Sequence, residues 1–298
     1  MVIEPDIMAE SKETMPRIGA FKRFYRVFLG RKIVIFGLFI IMLLVITAVF
    51  APVFAPYDPY EQDMTKHISQ PSREHLLGTD ALGRDTLSRI IYGTRVSLIV
   101  GISAIIIAGI IGMTLGLIAG YFGGWTFAVI MRSIDTLMAL PMMVLVLVIA
   151  AMLGGGLKNV VIALGIGGVA MYARMMCGQV LIVRENDYIM ASRASGASNA
   201  RIMVRHLMPN CFPPLIVLMT MQMGMMILAE AGLSFLGVGV EPPIAAWGAM
   251  VTDGYRYLLT NPILSFAPGL AIMLVVFAFN MVGDGLRDAI DPRLRGTL

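Results

Sequence analysis

The chain has 298 residues, 58% of them hydrophobic and only 14% charged, with a net charge of +4. A soluble domain carries about 25% charged residues, so a water-soluble globular enzyme is excluded, and the modest positive charge does not point to nucleic acid. A mean hydropathy of +0.81 and recurrent apolar runs of about 20 residues, each able to cross a hydrocarbon core of about 30 Å, define an all-α integral membrane protein.

In chain order, residues 1–32 form a basic segment holding Lys12, Arg17, Lys22, Arg23, Arg26, Arg31 and Lys32. The first span follows at 33–54. It is too long for the apolar core of a signal peptide, and no small-residue cleavage site follows it. Residues 55–95 form a polar, proline-punctuated loop. Its second half places Leu82, Leu87, Ile90 and Ile91 at helical spacing after Asp80, which predicts a short amphipathic helix lying at the membrane interface. A five-helix core occupies 96–282. Its spans are read as Val96–Tyr121, Phe127–Leu153 (interrupted at Pro141), Asn159–Met176, Phe212–Glu230 and Ile263–Val282. The loop Ala231–Pro262, with Trp247, is expected to dip back into the outer half of the membrane against protein. The tail is 283–298.

Six spans put both termini on one side. Sixteen of the 23 Lys and Arg residues fall on that side, five of them (Arg174, Arg184, Arg193, Arg201 and Arg205) between the fourth and fifth spans. The positive-inside bias makes it the cytoplasmic side.

Chemistry-bearing motifs are missing. There is no phosphate loop of G-x-x-x-x-G-K-[ST] form, no dinucleotide fingerprint and no H-E-x-x-H. His67, His75 and His206 fall on both sides of the membrane, and Cys177 and Cys211 lack ligand spacing, so these cysteines are expected as free, packed thiols. No catalytic residue and no metal ligand is assigned. Arg132 and Asp135, three apart, are expected to pair on one helix face. No span carries an acidic residue near its middle, with Glu230 ending the fifth span on the outer side. That argues against a proton- or sodium-driven carrier. Gly112, Gly116 and Gly120 form a small-residue stripe suited to close helix packing. The methionine-rich fifth span offers Met219, Gln222, Met223 and Met226 as a translocation path, against a simpler role as core filler.

One cytoplasmic stretch, 184–210, stands apart. It contains "DYIMASRASGASNARIMVRHLMPN". A DNA-reading helix-turn-helix, an ordinary basic loop and a docking element compete for it. Residues 187–194 and 199–208 suit two short helices, Gly196 suits a break of positive φ, and Pro209 is expected to end the second helix.

This stretch resembles the signature cytoplasmic loop of ABC-importer permeases, which runs Glu-Ala-Ala, three residues, Gly, nine residues, Ile, one residue, Leu-Pro. Ala191, Gly196 and Pro209 match in register, while Met190, Ser192, His206 and Met208 depart from it. Further segments, "HLLGTDALGRDTLSRIIYGTRVSL", "GLIAGYFGGW", "LSFLGVGVEPP" with "WGAM", and "FNMVGDGLRDAIDPRLR", are similar to the C-type permeases of dipeptide, oligopeptide and nickel importers.

The resemblance implies a type I ABC importer permease fold in a bacterial cytoplasmic (inner) membrane. It implies a related second, B-type permease, two cytoplasmic ATPases that hold the ATP and Mg, and an extracytoplasmic substrate-binding protein. No cofactor is implied in this chain. A coupling helix is implied at Asp187, Tyr188, Ala191, Ser192, Arg193, Ala194, Gly196 and Ala197, with Arg205 and Pro209 beyond. Peptides are the first substrate class. Nickel, glutathione or another small solute is the alternative, and a stand-alone secondary transporter or channel is the rival class.

Overall fold

The computed structural model describes residues 20–290; Lys12, Arg17, Arg293 and Arg295 lie outside them. These residues are helical throughout, apart from loops and one isolated β-bridge between Thr79 and Asp85. Helix α1 (Ala20–Gly30) leads into α2 (Lys32–Val49) and a one-turn helix, α3 (Ala51–Phe54). A loop then reaches α4 (Thr86–Phe122). After it come α5 (Gly124–Met138), α6 (Met142–Leu153), α7 (Leu157–Val183), α8 (Asp187–Ala194), α9 (Asn199–Arg201), α10 (Met208–Phe235), α11 (Trp247–Tyr255) and α12 (Ile263–Ile290). Five helices are long and apolar enough to span a membrane, and the pair α5–α6 makes a sixth crossing if counted as one span. That pair is bent by 89° around Pro141, whose ring disfavours helical backbone at the preceding residue.

Helix α2 stands at the edge. It buries only Val34, Gly37, Leu44 and Ala48, a single stripe, and leaves Phe36, Phe39 and Leu43 half-exposed for lipid. Arg31 pairs with Asp288 at 2.5 Å. This joins the start of α2 to the end of α12, so the two described ends share one side, as six crossings require.

Helix α4 corrects the reading of 55–95. No separate interfacial helix forms there. Thr86–Phe122 is one uninterrupted helix of 37 residues, roughly 55 Å long at 1.5 Å per residue, longer than a hydrocarbon core of about 30 Å needs. Asp85, not Asp80, caps it: Asp85 Oδ2 accepts from Ser88 N at 2.8 Å. Asp80 is occupied in a turn, where its carboxylate accepts from Leu82 N, Arg84 N and Arg84 Nε.

Helices α4 and α7 run parallel through the centre. Gly112 lies against Val169 O and Tyr172, Gly116 against Ala173 and Met176, and Gly120 against Val180. A Cβ at any of them would collide with α7, so the small-residue stripe is a packing surface. Cys177 and Cys211 are free and buried. Asp135 does not pair with Arg132. It pairs with Arg174 of α7, because α5 packs Ile134 against Val169, Ala170 and Ala173 of α7, which brings the adjacent Asp135 to the facing helix.

The fifth span is also longer than expected. Helical backbone runs from Asn199 to Phe235, and Pro209 does not end it. Residues Ile202–Leu207 adopt a π turn. Met208 N bonds to Met203 O, five residues back, and the missing N–H of Pro209 falls where the ladder is already re-registered. The helix continues past Glu230, which is fully buried and whose Oε1 accepts from Ser234 Oγ at 2.7 Å.

The loop after α10 folds back on protein. Gly248 of α11 sits against the backbone of Ala231, and Gly254 against Leu264. Trp247 is 2% exposed and donates from Nε1 to Ile90 O at 2.9 Å. The chain from Tyr57 to Asp85 caps the same end. Asn261 Nδ2 donates to Ser69 O and Gln70 Nε2 to Thr260 O.

Candidate functional site: the cytoplasmic segment and the groove along α10

At the opposite end, α8 leaves α7 at an exposed corner. Arg184 fixes that corner, donating from Nη1 to Gly120 O at 2.8 Å and from Nε to Glu185 at 3.0 Å. Asp187 occupies the first turn of α8 and Arg193 the last, which suits the helix dipole at both ends. One side chain, Ile189, is buried beneath α8 at 1% exposure.

The helix ends in a Schellman motif. Gly196 has φ +76°, its N–H bonds to Arg193 O at 3.0 Å, and Ala197 N bonds to Ser192 O at 3.1 Å. A Cβ on Gly196 would meet nothing within 4 Å, so the backbone angle, not space, selects glycine here. Ser198 then caps α9, accepting from Arg201 N at 3.4 Å. The first helix and its glycine break are present as read from the sequence, while the second, 199–208, is not a separate short helix but the start of the helical run to Phe235.

The segment is tied to the bundle by groups the sequence did not single out. Tyr121, at the cytoplasmic end of α4, donates its hydroxyl to Asn199 Oδ1 at 2.8 Å. The Arg193 guanidinium lies over the Tyr121 ring, 5.5 Å from its centroid, a cation–π contact. One side of the hairpin is thus held by α4. The other side is free: Asp187, Tyr188, Ala191, Ala194, Arg205 and Pro209 are exposed and Ser192 and Ala197 partly so, whereas Arg193, although exposed, folds back over Tyr121. Tyr188, Met190 and Val204 add exposed apolar surface there, at 43%, 55% and 62%. Met190, which stands where the signature loop has glutamate, lies in this free face.

A groove runs along α10. Its outer part is a cavity of about 760 Å³ between α6, α10, α11 and α12, lined by Met142, Met143, Gln222, Met225, Leu228, Gly232 and Ile272 among others. Its inner part, about 340 Å³, is lined by Met175, Pro214, Leu218, Met221 and Arg287. Pro214, Leu218, Met221, Met225, Leu228 and Gly232 recur every three or four residues, so one helix face lines both parts. Of the path residues read from the sequence, Gln222 lines the outer cavity. Met223 packs against Gly101, Met219 against Gly109 and Met226 against Gly168, which places these three on the side of α10 that faces α4 and α7. The groove is apolar apart from Gln222 in its outer part and Arg287 at its inner end. Met225 and Leu228 also line the outer cavity and are not among the path residues read from the sequence.

The bundle thus combines five apolar helices and one bent helix pair with a helix–glycine–helix segment at one end and an apolar groove along α10. Residues 112–296 match the model of the binding-protein-dependent transport system inner membrane components. Residues 19–71 match that of the N-terminal membrane domain of oligopeptide transport permease C. The chain belongs to this family of inner membrane transport permeases. It is 43% identical to the dipeptide transport system permease protein DppC of Alkalihalophilus pseudofirmus, over 89% of this chain and 87% of that one. It is 40% identical to the oligopeptide transport system permease protein OppC of Bacillus subtilis, over 90% and 88%, and to the glutathione transport system permease protein GsiD of Pectobacterium atrosepticum, over 92% and 91%. Its fold is similar to that in the inward-facing MetNI methionine ABC transporter, with a TM-score of 0.55, 19% identity, and coverage of 68% of this chain and 97% of that one.

Proposed function

We propose that the chain is one of two permeases in an ATP-driven importer of dipeptides or oligopeptides in a bacterial inner membrane. A B-type permease completes the path, two cytoplasmic ATPases carry the ATP and Mg, and an extracytoplasmic binding protein delivers the solute. This chain holds no cofactor and hydrolyses nothing.

The observation that carries the reading is the hairpin of residues 187–209. It is rigid through the Schellman motif at Gly196, anchored on α4 through Tyr121, and continuous with α10 through the π turn. A displacement applied to α8 therefore reaches both α4 and α10, the helix that lines the groove. ATPase closure would press on Tyr188, Met190 and Val204, and α10 would tilt with the segment.

The groove supports short peptides with varied side chains. Its methionines adapt in shape, and its outer part carries no charge to discriminate between solutes. Gln222 supplies one amide that can bond a peptide backbone. Selection then rests with the delivering protein. A glutathione importer is the second reading, favoured by the relatives of that name, and glutathione is itself a short peptide. The test is isolation of the tagged chain from its host membrane, followed by reconstitution. Expected are co-isolated ATPases and ATP-dependent peptide uptake. Uptake by the lone chain without ATP would instead establish a secondary transporter.

A further inference from the structure

Two polar side chains stand in the otherwise apolar groove, Gln222 in its outer part and Arg287 in its inner part. The packing of α10 on α12 relates them. Gly283 of α12 lies against Met221, and Gly224 of α10 against Val276, so the two helices run antiparallel. Arg287 follows Gly283 by one turn toward the cytoplasmic end and lines the inner cavity beside Pro214 and Leu218. Leu218 and Pro214 precede Gln222 by four and eight residues, roughly 6 and 12 Å along the axis at 1.5 Å per residue. The amide and the guanidinium are separated along the groove by a length of that order.

Arg287 is exposed and forms no ion pair among the described residues; the neighbouring Asp288 is taken by Arg31 instead. The wall around it, including Met175, Val217, Met221 and Ile290, is apolar. A guanidinium at the end of an apolar trough selects an anion, and its planar fork fits a carboxylate through two parallel hydrogen bonds. A metal cation would be repelled there.

A short peptide matches both groups. Whatever its side chains, it ends in a carboxylate, and its main chain offers N–H and C=O groups to an amide that both donates and accepts. Extended chain advances about 3.3–3.6 Å per residue, so a di- or tripeptide spans roughly 7–10 Å between its ends, within the separation of Gln222 and Arg287. A phospholipid would bring a phosphate for Arg287 but, with its acyl chains in the groove, nothing for Gln222 to bond.

We propose that Arg287 holds the C-terminal carboxylate of a peptide in transit while Gln222 bonds its main chain nearer the amino end. The solute then moves toward the cytoplasm carboxylate end first, and the permease itself favours di- and tripeptides with a free C-terminus. This rests on the importer reading above and narrows its substrate class.

The test uses the complete transporter with its binding protein in proteoliposomes and measures initial ATP-dependent uptake of trialanine and of trialanine amide. The same binding protein serves every variant, so its own preference cancels when acid-to-amide ratios are compared. Arg287→Gln is expected to lower uptake of the acid about tenfold, in the range of a hydrogen bond to a charged group, and to change that of the amide little. Arg287→Lys keeps the charge without the fork and should fall between. Gln222→Leu should lower both forms alike; a fall confined to the acid would place the carboxylate at Gln222 and overturn the orientation. An equal fall of both forms in Arg287→Gln would assign this side chain to structure or to a lipid phosphate and overturn the proposal, as would no fall in either. Where the binding protein rejects the amide, cryo-electron microscopy of the transporter trapped with trialanine decides. The carboxylate end is expected beside Arg287, and the amino end or a lipid there would overturn the proposal. Absence of ATP-dependent uptake of either peptide by the unmodified complex would overturn the importer reading itself.

Discussion

The Tyr121 hydroxyl donates to Asn199 Oδ1 across 2.8 Å, joining the last turn of α4 to the first turn of the helix that becomes α10. Seventy-eight residues separate the two in sequence. The bond makes the cytoplasmic hairpin part of the bundle. Tyr121→Phe removes the donor and keeps the ring beneath Arg193. It is expected to cost about 1 kcal/mol, the net worth of one hydrogen bond, and to lower peptide uptake per ATP hydrolysed. A double-mutant cycle with Asn199→Ala checks it: the two losses should be less than additive. Full additivity would mean that the bond transmits nothing.

Gly196 is selected by its backbone angle, φ +76°, with open space around its α-carbon. Gly196→Val is therefore expected to distort the turn at a cost of roughly 1–3 kcal/mol and leave the bundle folded. ATP hydrolysis by the reconstituted complex should persist while uptake falls. Gly196→Asn, which tolerates positive φ better, should retain more uptake than Gly196→Val. Equal uptake by all three proteins would remove the turn from the mechanism.

Gly116 makes the opposite case. Its α-carbon faces the Ala173 carbonyl and Met176 of α7, so Gly116→Leu is expected to break the α4–α7 packing. Overpacking of this kind costs about 1–3 kcal/mol or more. Thermal unfolding in detergent, followed by tryptophan fluorescence, should shift to lower temperature. A Gly178→Leu control, at a glycine with no neighbour within 4 Å of a built Cβ, should shift it much less.

In the groove, Gln222 is the polar side chain of the outer cavity. Gln222→Leu is expected to slow peptide uptake with little effect on assembly, because the site loses an amide and keeps its shape. Met223→Leu, on the side of α10 that packs on Gly101, should change uptake little, since the swap conserves volume. Initial uptake rates in proteoliposomes distinguish the two. A larger loss from Met223→Leu would place the path on the other face of α10.

Much of this arrangement was legible in the residues. The spans follow from apolar runs, the sidedness from arginines, and the hairpin from Gly196 and its flanking helix formers. What escaped was set by partners distant in sequence. Asp135 pairs with Arg174 rather than Arg132, because the packing of Ile134 on α7 brings Asp135 to the facing helix. Asp80 had the residue type of a helix cap, but Arg84 and the turn amides occupy it, and Asp85 caps α4 instead. Pro209 read as a stop, yet the π turn before it lets the helix run on. Met219, Met223 and Met226 share composition with Met225 and differ only in facing. No local pattern separates the face of α10 turned to α4 from the face turned to the groove. Tyr121 and Asn199 are unremarkable in their own segments and acquire a role only where the two helix ends meet.

The proposed importer requires that the hairpin of residues 187–209 receive force from an ATPase. The most direct measurement places a photoreactive amino acid at Met190, in the free face of α8, and irradiates the transporter in native membranes with and without a trapped ATP analogue. The expected result is a cross-link to a cytoplasmic ATPase whose yield changes with nucleotide. Cross-links to lipid alone, or to an ATPase with no response to nucleotide, would contradict the account.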